Sequence, residues 1–266
     1  MDASLRTTQR SRAEAPEPPQ VGWLYAVCFE QQCRRRAIRL FGWMTVLIIA
    51  LVAFFTFQFD LLPLDHRITG AIQGLQRYPL LVSLMEAVSF LGYSPWNGIM
   101  VAVGFVAVAV WLGWKAGLFL ALATLVQGII TVALKFPIRI ERPMETELNA
   151  PLDVIRTSSF PSGHVTMYVV FFGFLVYLLY KHDTPRFARR GGLLAAAFMI
   201  LLIGPARILL GAHWTGDVIA AYLLGSFVLL LSIDVYEVRF LTRFGAVSRD
   251  EVEAVEKKAK EAGSEL

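Results

Sequence analysis

Long stretches without a charged residue limit most strongly how this chain can fold. A helix needs about 20 apolar residues to cross a bilayer, within a range of about 17–25. Three charge-free stretches are long enough by themselves: Leu40–Phe59, Ala87–Trp114 and Ala116–Leu134. Three more contain 16 uncharged residues each: Val165–Tyr180, Gly191–Ala206 and Val218–Ile233. The charged residues that flank the shorter stretches can lie at the depth of the lipid headgroups, so these stretches can also span.

The composition agrees with a membrane protein. Hydrophobic residues make up 56% of the chain and charged residues 17%, whereas soluble domains average about 25% charged residues. We therefore predict an all-α, polytopic membrane protein with a bundle of six transmembrane helices, the second beginning near Pro95. The net charge of +4 is modest, and no basic cluster is interleaved with aromatic residues, so nucleic-acid binding is not indicated.

The polar segments set the predicted domain boundaries. Residues 1–20 are polar and contain prolines, which predicts a disordered tail. Residues 21–39 combine apolar side chains with a cluster of arginines and suggest an interfacial basic segment. The six-span domain is expected at 40–238. Residues 239–266 contain the capping-box pattern "SRDE" and are predicted to form a cytoplasmic helical tail.

The distribution of Lys and Arg predicts the orientation in the membrane. If the N-terminus is cytoplasmic, more of the Lys and Arg residues near the spans fall on the cytoplasmic side than outside, as the positive-inside rule requires. Both termini are then cytoplasmic, and segments 60–95, 135–164 and 207–217 lie at the outer face. The first residues have no apolar signal-peptide core, and we expect a multi-pass protein of a bacterial plasma (inner) membrane.

Two of these outer segments carry cations and helix-start residues suited to phosphate. Lys135, Arg142 and Arg207 supply positive charge, and the planar fork of arginine matches phosphate oxygens. Ser162 is a good N-cap for the next span, and Gly163 allows a ligand close to the backbone. Because the N-terminus of a helix attracts anions, this combination predicts one wall of a phosphate site.

The histidines supply reactive groups. His213 and Asp217 are four residues apart, so on a helix they share a face. Asp217 could hold one ring nitrogen of His213 and leave the other for nucleophilic attack, while His164 could protonate a leaving oxygen. Taken singly, each of these residues also fits a structural role. His66 and His182 are interpreted as ordinary loop residues, and Cys28 and Cys33 are too few for a disulfide framework or a zinc site.

The joint pattern is more specific than its parts. Lys-x6-Arg-Pro, Pro-Ser-Gly-His and Arg-x5-His-x3-Asp occur in this order between residues 135 and 217. This pattern resembles the signature of the type 2 phosphatidic acid phosphatase (PAP2) superfamily. The six-span layout over about residues 40–238 is similar to its integral-membrane lipid phosphatase branch.

The resemblance implies a role for each matching residue. Lys135, Arg142 and Arg207 would bind the phosphate, and Ser162 and Gly163 would hydrogen-bond its oxygen atoms. The third motif usually begins Ser-Arg, whereas this chain has alanine before the arginine, which removes one hydroxyl contact to phosphate.

The catalytic roles are also implied by the resemblance. His213 would be the nucleophile that forms a phosphohistidine, Asp217 would orient it, and His164 would protonate the leaving group. Water would then hydrolyse the phosphohistidine, with no metal or other cofactor.

Several substrates and functions agree with this sequence. A lipid phosphate in the bilayer is the expected partner: phosphatidic acid, phosphatidylglycerol phosphate, undecaprenyl diphosphate or a lipid A-like glycolipid. A lipid phosphotransferase would use the same phosphoenzyme. A vanadate-dependent haloperoxidase shares the residues but is soluble. A non-catalytic protein that binds or transports anionic lipid needs the cations only.

Overall fold

Helices account for all the regular secondary structure in the described part of the chain. A computed structural model describes residues 37–46, 63–138, 140–143 and 158–241. The helices are α1 (Ala37–Val46), α2 (Pro63–Gln73), a 3₁₀ helix (Gly74–Arg77), α3 (Pro79–Phe90), α4 (Trp96–Leu112), α5 (Trp114–Lys135), α6 (Gly163–Lys181), α7 (Arg186–Leu209) and α8 (Thr215–Leu241).

Four helices among the described residues, α5 to α8, are long and apolar enough to cross a membrane. Helix α4 has 17 residues and belongs to the shorter apolar helices, although it begins directly after Pro95 as the sequence predicted. The first predicted span is described only as far as α1, because residues 47–62 lie outside the described ranges. The all-helical membrane fold is confirmed, whereas the predicted count of six spans is not.

Helix α6 lies at the centre of the bundle. It packs against α5, α7 and α8, and side chains at helical spacing along it are fully buried, among them Val165, Tyr168 and Phe174. Close approach to α8 requires a small residue, because a Cβ on Gly225 would lie 2.9 Å from the Cβ of Val169. Small residues at such contacts let membrane helices approach closely. The centre of the fold therefore holds the segment that begins with the Pro-Ser-Gly-His motif.

The C-terminal end of α7 is shaped by a proline and a glycine. Pro205 lies inside α7 and cannot donate a backbone hydrogen bond. The Tyr222 hydroxyl bonds to backbone groups of α7 there. It accepts from the Gly204 N–H at 3.2 Å and donates to the Ile200 carbonyl at 2.6 Å. Gly211, at a φ of 72°, then ends the helix in a left-handed conformation that favours glycine.

This helix ending places two motif residues next to each other. The Ala212 N–H donates to the Arg207 carbonyl at 3.1 Å, and the Gly211 N–H donates to the Ile208 carbonyl at 3.0 Å. The pair of bonds is a Schellman motif. Arg207 is thereby held in the last turn of α7, and His213 follows directly after the motif.

Helix α2 fixes the start of α8. The Asp65 carboxylate accepts from the Gly216 N–H at 3.1 and 3.2 Å, and the Thr69 hydroxyl accepts from the Thr215 N–H at 3.1 Å. An acidic cap on the first N–H groups stabilises a helix N-terminus. The described part of segment 60–95, residues 63–95, thus packs against the bundle and supports the turn that carries His213.

The terminal segments remain predictions. The predicted tail at 1–20, nearly all of the basic segment at 21–39 and the tail from residue 242 onward lie outside the described residues. Helix α8 continues to Leu241, slightly past the boundary expected at residue 238.

Candidate active site

All eight residues predicted for the site are described and lie at one end of the bundle. Lys135 ends α5, Ser162 is the N-cap of α6, and Arg207 lies in the last turn of α7. Two loop contacts join these ends. Lys135 Nζ donates to the Ser158 carbonyl at 2.7 Å, and Arg142 Nη1 donates to the Ala212 carbonyl at 3.1 Å. Three separate parts of the sequence therefore converge at this end of the bundle.

His213 and Asp217 form a buried pair. Both residues are 2% exposed, and His213 Nδ1 lies 3.6 Å from Asp217 Oδ2. The same carboxylate oxygen accepts from the Trp214 N–H at 2.9 Å, which holds it in place. A carboxylate facing Nδ1 favours the tautomer with its proton there and leaves the Nε2 lone pair available.

The surroundings favour a neutral His213 ring. Burial, followed by the positive charges of Arg207, Arg142 and Lys135, lowers the pKa of His213 well below its usual range. Burial and cations both disfavour a charged imidazole. His213 is therefore unprotonated at neutral pH, which is the form that a nucleophile requires.

Lys135, Arg142 and Arg207 lie close enough to one another for their positive charges to interact. Arg207 is 1% exposed and Lys135 is 5% exposed. Burial and the neighbouring Arg207 lower the pKa of Arg142. Three buried or half-buried cations repel one another at short range. An anionic ligand with several oxygen atoms is the partner that such a cluster stabilises.

Several polar atoms of the site lack a hydrogen-bond partner among the described residues. They are Ser162 Oγ, His164 Nε2, Arg207 Nε and His213 Nδ1. In folded proteins the great majority of buried polar atoms are hydrogen-bonded. Because Ser162 Oγ, His164 Nε2 and Arg207 Nε belong to one site, they are available to the oxygen atoms of a ligand, whereas His213 Nδ1 faces Asp217.

The N-terminus of α6 adds backbone donors to the site. The first bond within this helix runs from the Thr166 N–H to the Ser162 carbonyl at 3.1 Å, so the N–H groups of Gly163 and His164 precede the helical ladder. A Cβ on Gly163 would be 3.7 Å from Thr131 Cγ2. This is ordinary contact, so glycine is favoured there for the approach of a ligand rather than for helix packing.

Comparison with known proteins identifies a family for the second half of the chain. Residues 116–240 match the family model of the PAP2 superfamily. Over these residues, from α5 to α8, the chain is similar to members of that superfamily. No curated protein matches the sequence significantly.

Two solved structures are also similar to this chain. A transmembrane PAP2-type phosphatidylglycerolphosphate phosphatase from Bacillus subtilis is 24% identical, with a TM-score of 0.61, and the match covers 73% of this chain and 94% of that chain. LpxE from Aquifex aeolicus is 23% identical, with a TM-score of 0.48, over 65% of this chain and 96% of that chain. The Bacillus structure shows that this chain has the PAP2 membrane fold.

A loop outside the PAP2 motifs holds two of the motif residues. Arg207 Nη1 donates to the Tyr93 hydroxyl at 2.6 Å, and the Tyr93 ring lies edge-on to the His164 ring at 4.9 Å. A Cβ on the preceding residue, Gly92, would collide with the His164 ring. The α3–α4 loop therefore positions both a cation and the predicted acid. Sequence analysis missed Tyr93 because no motif spacing marks it.

Replacing Tyr93 with phenylalanine tests this positioning role. The ring packing against His164 is kept, while the acceptor for the Arg207 guanidinium is lost, at a typical cost of about 1–3 kcal/mol for a buried charged donor left unpaired. We expect kcat/KM for phosphate release to fall about tenfold, together with a loss of thermal stability in detergent that leaves the protein folded at the assay temperature. An unchanged kcat/KM in purified Tyr93→Phe protein would show that the contact has no role in catalysis.

A cavity of about 940 Å³ opens from the site into the membrane region. Lys135, Gly163 and His164 line its polar end, and its wall follows α5 as far back as Ala121. Leu125 and Ile129 also line it and are 58% and 60% exposed. The candidate site therefore continues into an apolar space along α5.

Metal ligation has no candidate in the part of the chain that the structure describes. No group of three or more His, Cys, Asp or Glu residues there is arranged to hold a metal ion.

Proposed function

We propose that this protein is a metal-independent lipid phosphatase that forms a phosphohistidine on His213. The observation that carries the proposal is the buried His213–Asp217 pair, at 3.6 Å, within a cluster of cations and unpartnered polar atoms. Anion binding alone explains the cations. It does not explain an imidazole that is oriented by a carboxylate and kept unprotonated by its surroundings.

The phosphate group would bind among Lys135, Arg142 and Arg207. The Ser162 hydroxyl and the Gly163 N–H would donate to its remaining oxygen atoms. These donors are fixed before the substrate arrives, and such preorganised charge is the main source of catalysis in phosphoryl transfer. The lipid chains would extend into the cavity along α5.

Two displacement steps complete the reaction. The negative charge of the bound phosphate favours the protonated form of His164. His213 Nε2 then attacks phosphorus, the bond from phosphorus to the lipid oxygen breaks, and His164 gives that oxygen its proton. The lipid leaves as an alcohol, and Asp217 stabilises the positive charge that develops on the His213 ring. Water then attacks the phosphohistidine, passes a proton to His164, and releases inorganic phosphate with His213 restored.

The proposed membrane orientation follows from the distribution of Lys and Arg. Both termini lie in the cytoplasm and the site faces the outer side of a plasma (inner) membrane. The site lies at the ends of α5 and α7, where a lipid phosphate reaches it at headgroup depth.

The pH dependence should report an unprotonated His213. Because the pKa of His213 is lowered well below its usual range, its nucleophilic form persists as the pH falls to about 6.5, the ordinary value for histidine. We expect the acid limb of kcat/KM, corrected for the second ionisation of the substrate phosphate, to have its midpoint below pH 6.5. A midpoint above pH 6.5 would contradict the neutral ring.

The proposed activity is tested with purified protein in detergent micelles containing EDTA. We expect release of inorganic phosphate from phosphatidic acid. Transfer of labelled phosphate to an added lipid alcohol without release to water would establish a phosphotransferase instead. Binding of phosphatidic acid with neither release nor transfer would contradict the catalytic assignment.

A further inference from the structure

Three polar side chains form a stripe on α5 inside the membrane region. Thr124, Gln127 and Thr131 lie on the same face as Lys135, and each is at most 5% exposed. All four residues line the cavity that opens from the active site. At about 1.5 Å per residue, Thr131 lies about 6 Å and Gln127 about 12 Å from Lys135 along the helix. The stripe therefore follows the path of a lipid below its phosphate.

Two members of the stripe keep hydrogen-bonding capacity for a ligand. Gln127 Nε2 donates to Thr131 Oγ1 at 3.0 Å, so the Thr131 hydroxyl hydrogen remains to be donated. Within the described residues, neither this hydrogen nor the second Nε2 hydrogen of Gln127 takes part in another hydrogen bond. Thr124 differs, because its hydroxyl donates to the Leu120 carbonyl of its own helix at 2.9 Å.

The groups that follow the phosphate in a lipid determine whether it can hydrogen-bond with the polar stripe of α5. A glycerolipid carries ester oxygens within a few bonds of its phosphate, and these accept hydrogen bonds from a hydroxyl and an amide. A polyprenyl phosphate carries a hydrocarbon chain at the same depth and leaves both donors unpaired. Sites built to hydrogen-bond a substrate oxygen discriminate strongly against an analogue that lacks it.

We propose that Thr131 and Gln127 are specificity-determining residues that select glycerolipid phosphates over polyprenyl phosphates. Their donors bind the ester oxygens of a diacylglycerol phosphate while the acyl chains occupy the apolar remainder of the cavity. The inference rests on the proposed phosphatase function and names its substrate class. The proposed selectivity does not involve phosphate binding, because neither side chain is among the residues that bind the phosphate.

The test compares two monophosphates on the same purified protein. Initial rates of phosphate release are measured for phosphatidic acid and for a polyprenyl monophosphate, each over a range of mole fractions in detergent micelles. We expect the wild-type protein to have the higher kcat/KM on phosphatidic acid. Thr131→Val and Gln127→Leu should each lower that value about tenfold and leave the polyprenyl value within about twofold.

Thr124→Val is the matched control. It makes the same replacement on the same cavity wall, but it removes a hydroxyl that already bonds its own helix, so the ratio between the two substrates should stay unchanged. If Thr131→Val lowers kcat/KM equally on both substrates, the stripe has only a structural role. A wild-type preference for the polyprenyl substrate would overturn the inference outright.

Failure of this inference and failure of the proposed function give different results. If the wild-type protein releases phosphate from both lipids and no stripe variant changes the ratio, only the selectivity inference is wrong. If the wild-type protein releases phosphate from neither lipid, the phosphatase proposal is wrong as well.

Discussion

His213→Ala should abolish phosphate release from phosphatidic acid, with a loss on the order of 10³-fold or more in kcat. Alanine removes the atom that bonds to phosphorus, while the cations and the α6 N-terminus still bind the phosphate. Binding of phosphatidic acid should therefore persist when turnover is lost. This separation of binding from chemistry is expected only if His213 is the nucleophile.

His182→Ala is the matched control for this variant. His182 directly follows α6, whereas His164 lies at its start, so the two are about 27 Å apart along the helix. We expect near wild-type activity from this control. Residual activity of His213→Ala within tenfold of wild type would show that another residue accepts the phosphoryl group.

Arg207→Lys should lower kcat/KM about 10²-fold even though the charge is conserved. Arg207 is 1% exposed, and its guanidinium both donates to Tyr93 at 2.6 Å and keeps Nε without a partner. A lysine ammonium is a single point of charge and cannot replace two separated donors of a planar fork. The loss should be measured on phosphatidic acid in the same micelles.

Arg190→Lys controls for the general effect of this replacement in α7. Arg190 is exposed near the other end of the same helix, and its replacement should change kcat/KM by less than twofold. If Arg207→Lys retains more than half of wild-type kcat/KM, the hypothesis that two separated donors of Arg207 are needed is wrong. Only the positive charge of Arg207 then matters.

Charge-free length predicts membrane helices well because burial in lipid excludes charge over a fixed thickness. The predicted span Val165–Tyr180 corresponds to α6 at Gly163–Lys181, and Val218–Ile233 lies inside α8 at Thr215–Leu241. The true helices are longer because flanking polar residues can continue a helix beyond the apolar core. The same rule predicted a full span within Ala87–Trp114, whereas α4 is shorter, since its 17 residues end at Gly113, where φ is 93°.

Convergence of the motif residues follows from helix order. Neighbouring antiparallel helices bring the end of α5, the start of α6, the end of α7 and the start of α8 to one side of the bundle. Sequence spacing therefore predicted which residues meet. It could not predict Tyr93, whose contact with Arg207 joins residues 114 positions apart, because tertiary packing alone brings that loop to the site.

The hydrogen bonds between α2 and the start of α8 also depend on tertiary packing. Asp65 and Gly216 are 151 residues apart, and an acidic residue in the first turn of a short helix is common without any partner. Nothing in the sequence connects this segment with the His213 turn. Contacts of this kind are visible only once the bundle is assembled.

The most direct measurement of the central claim is the chemical identity of the phosphorylated residue during turnover. Wild-type protein is mixed with phosphatidic acid labelled in its phosphate, quenched in alkali, where phosphohistidine survives, and digested for peptide mass analysis. The account predicts label on the peptide that contains His213, lost when the quench is acidified and lost in His213→Ala. Phosphate release without labelled His213, or label that persists in His213→Ala, would contradict it.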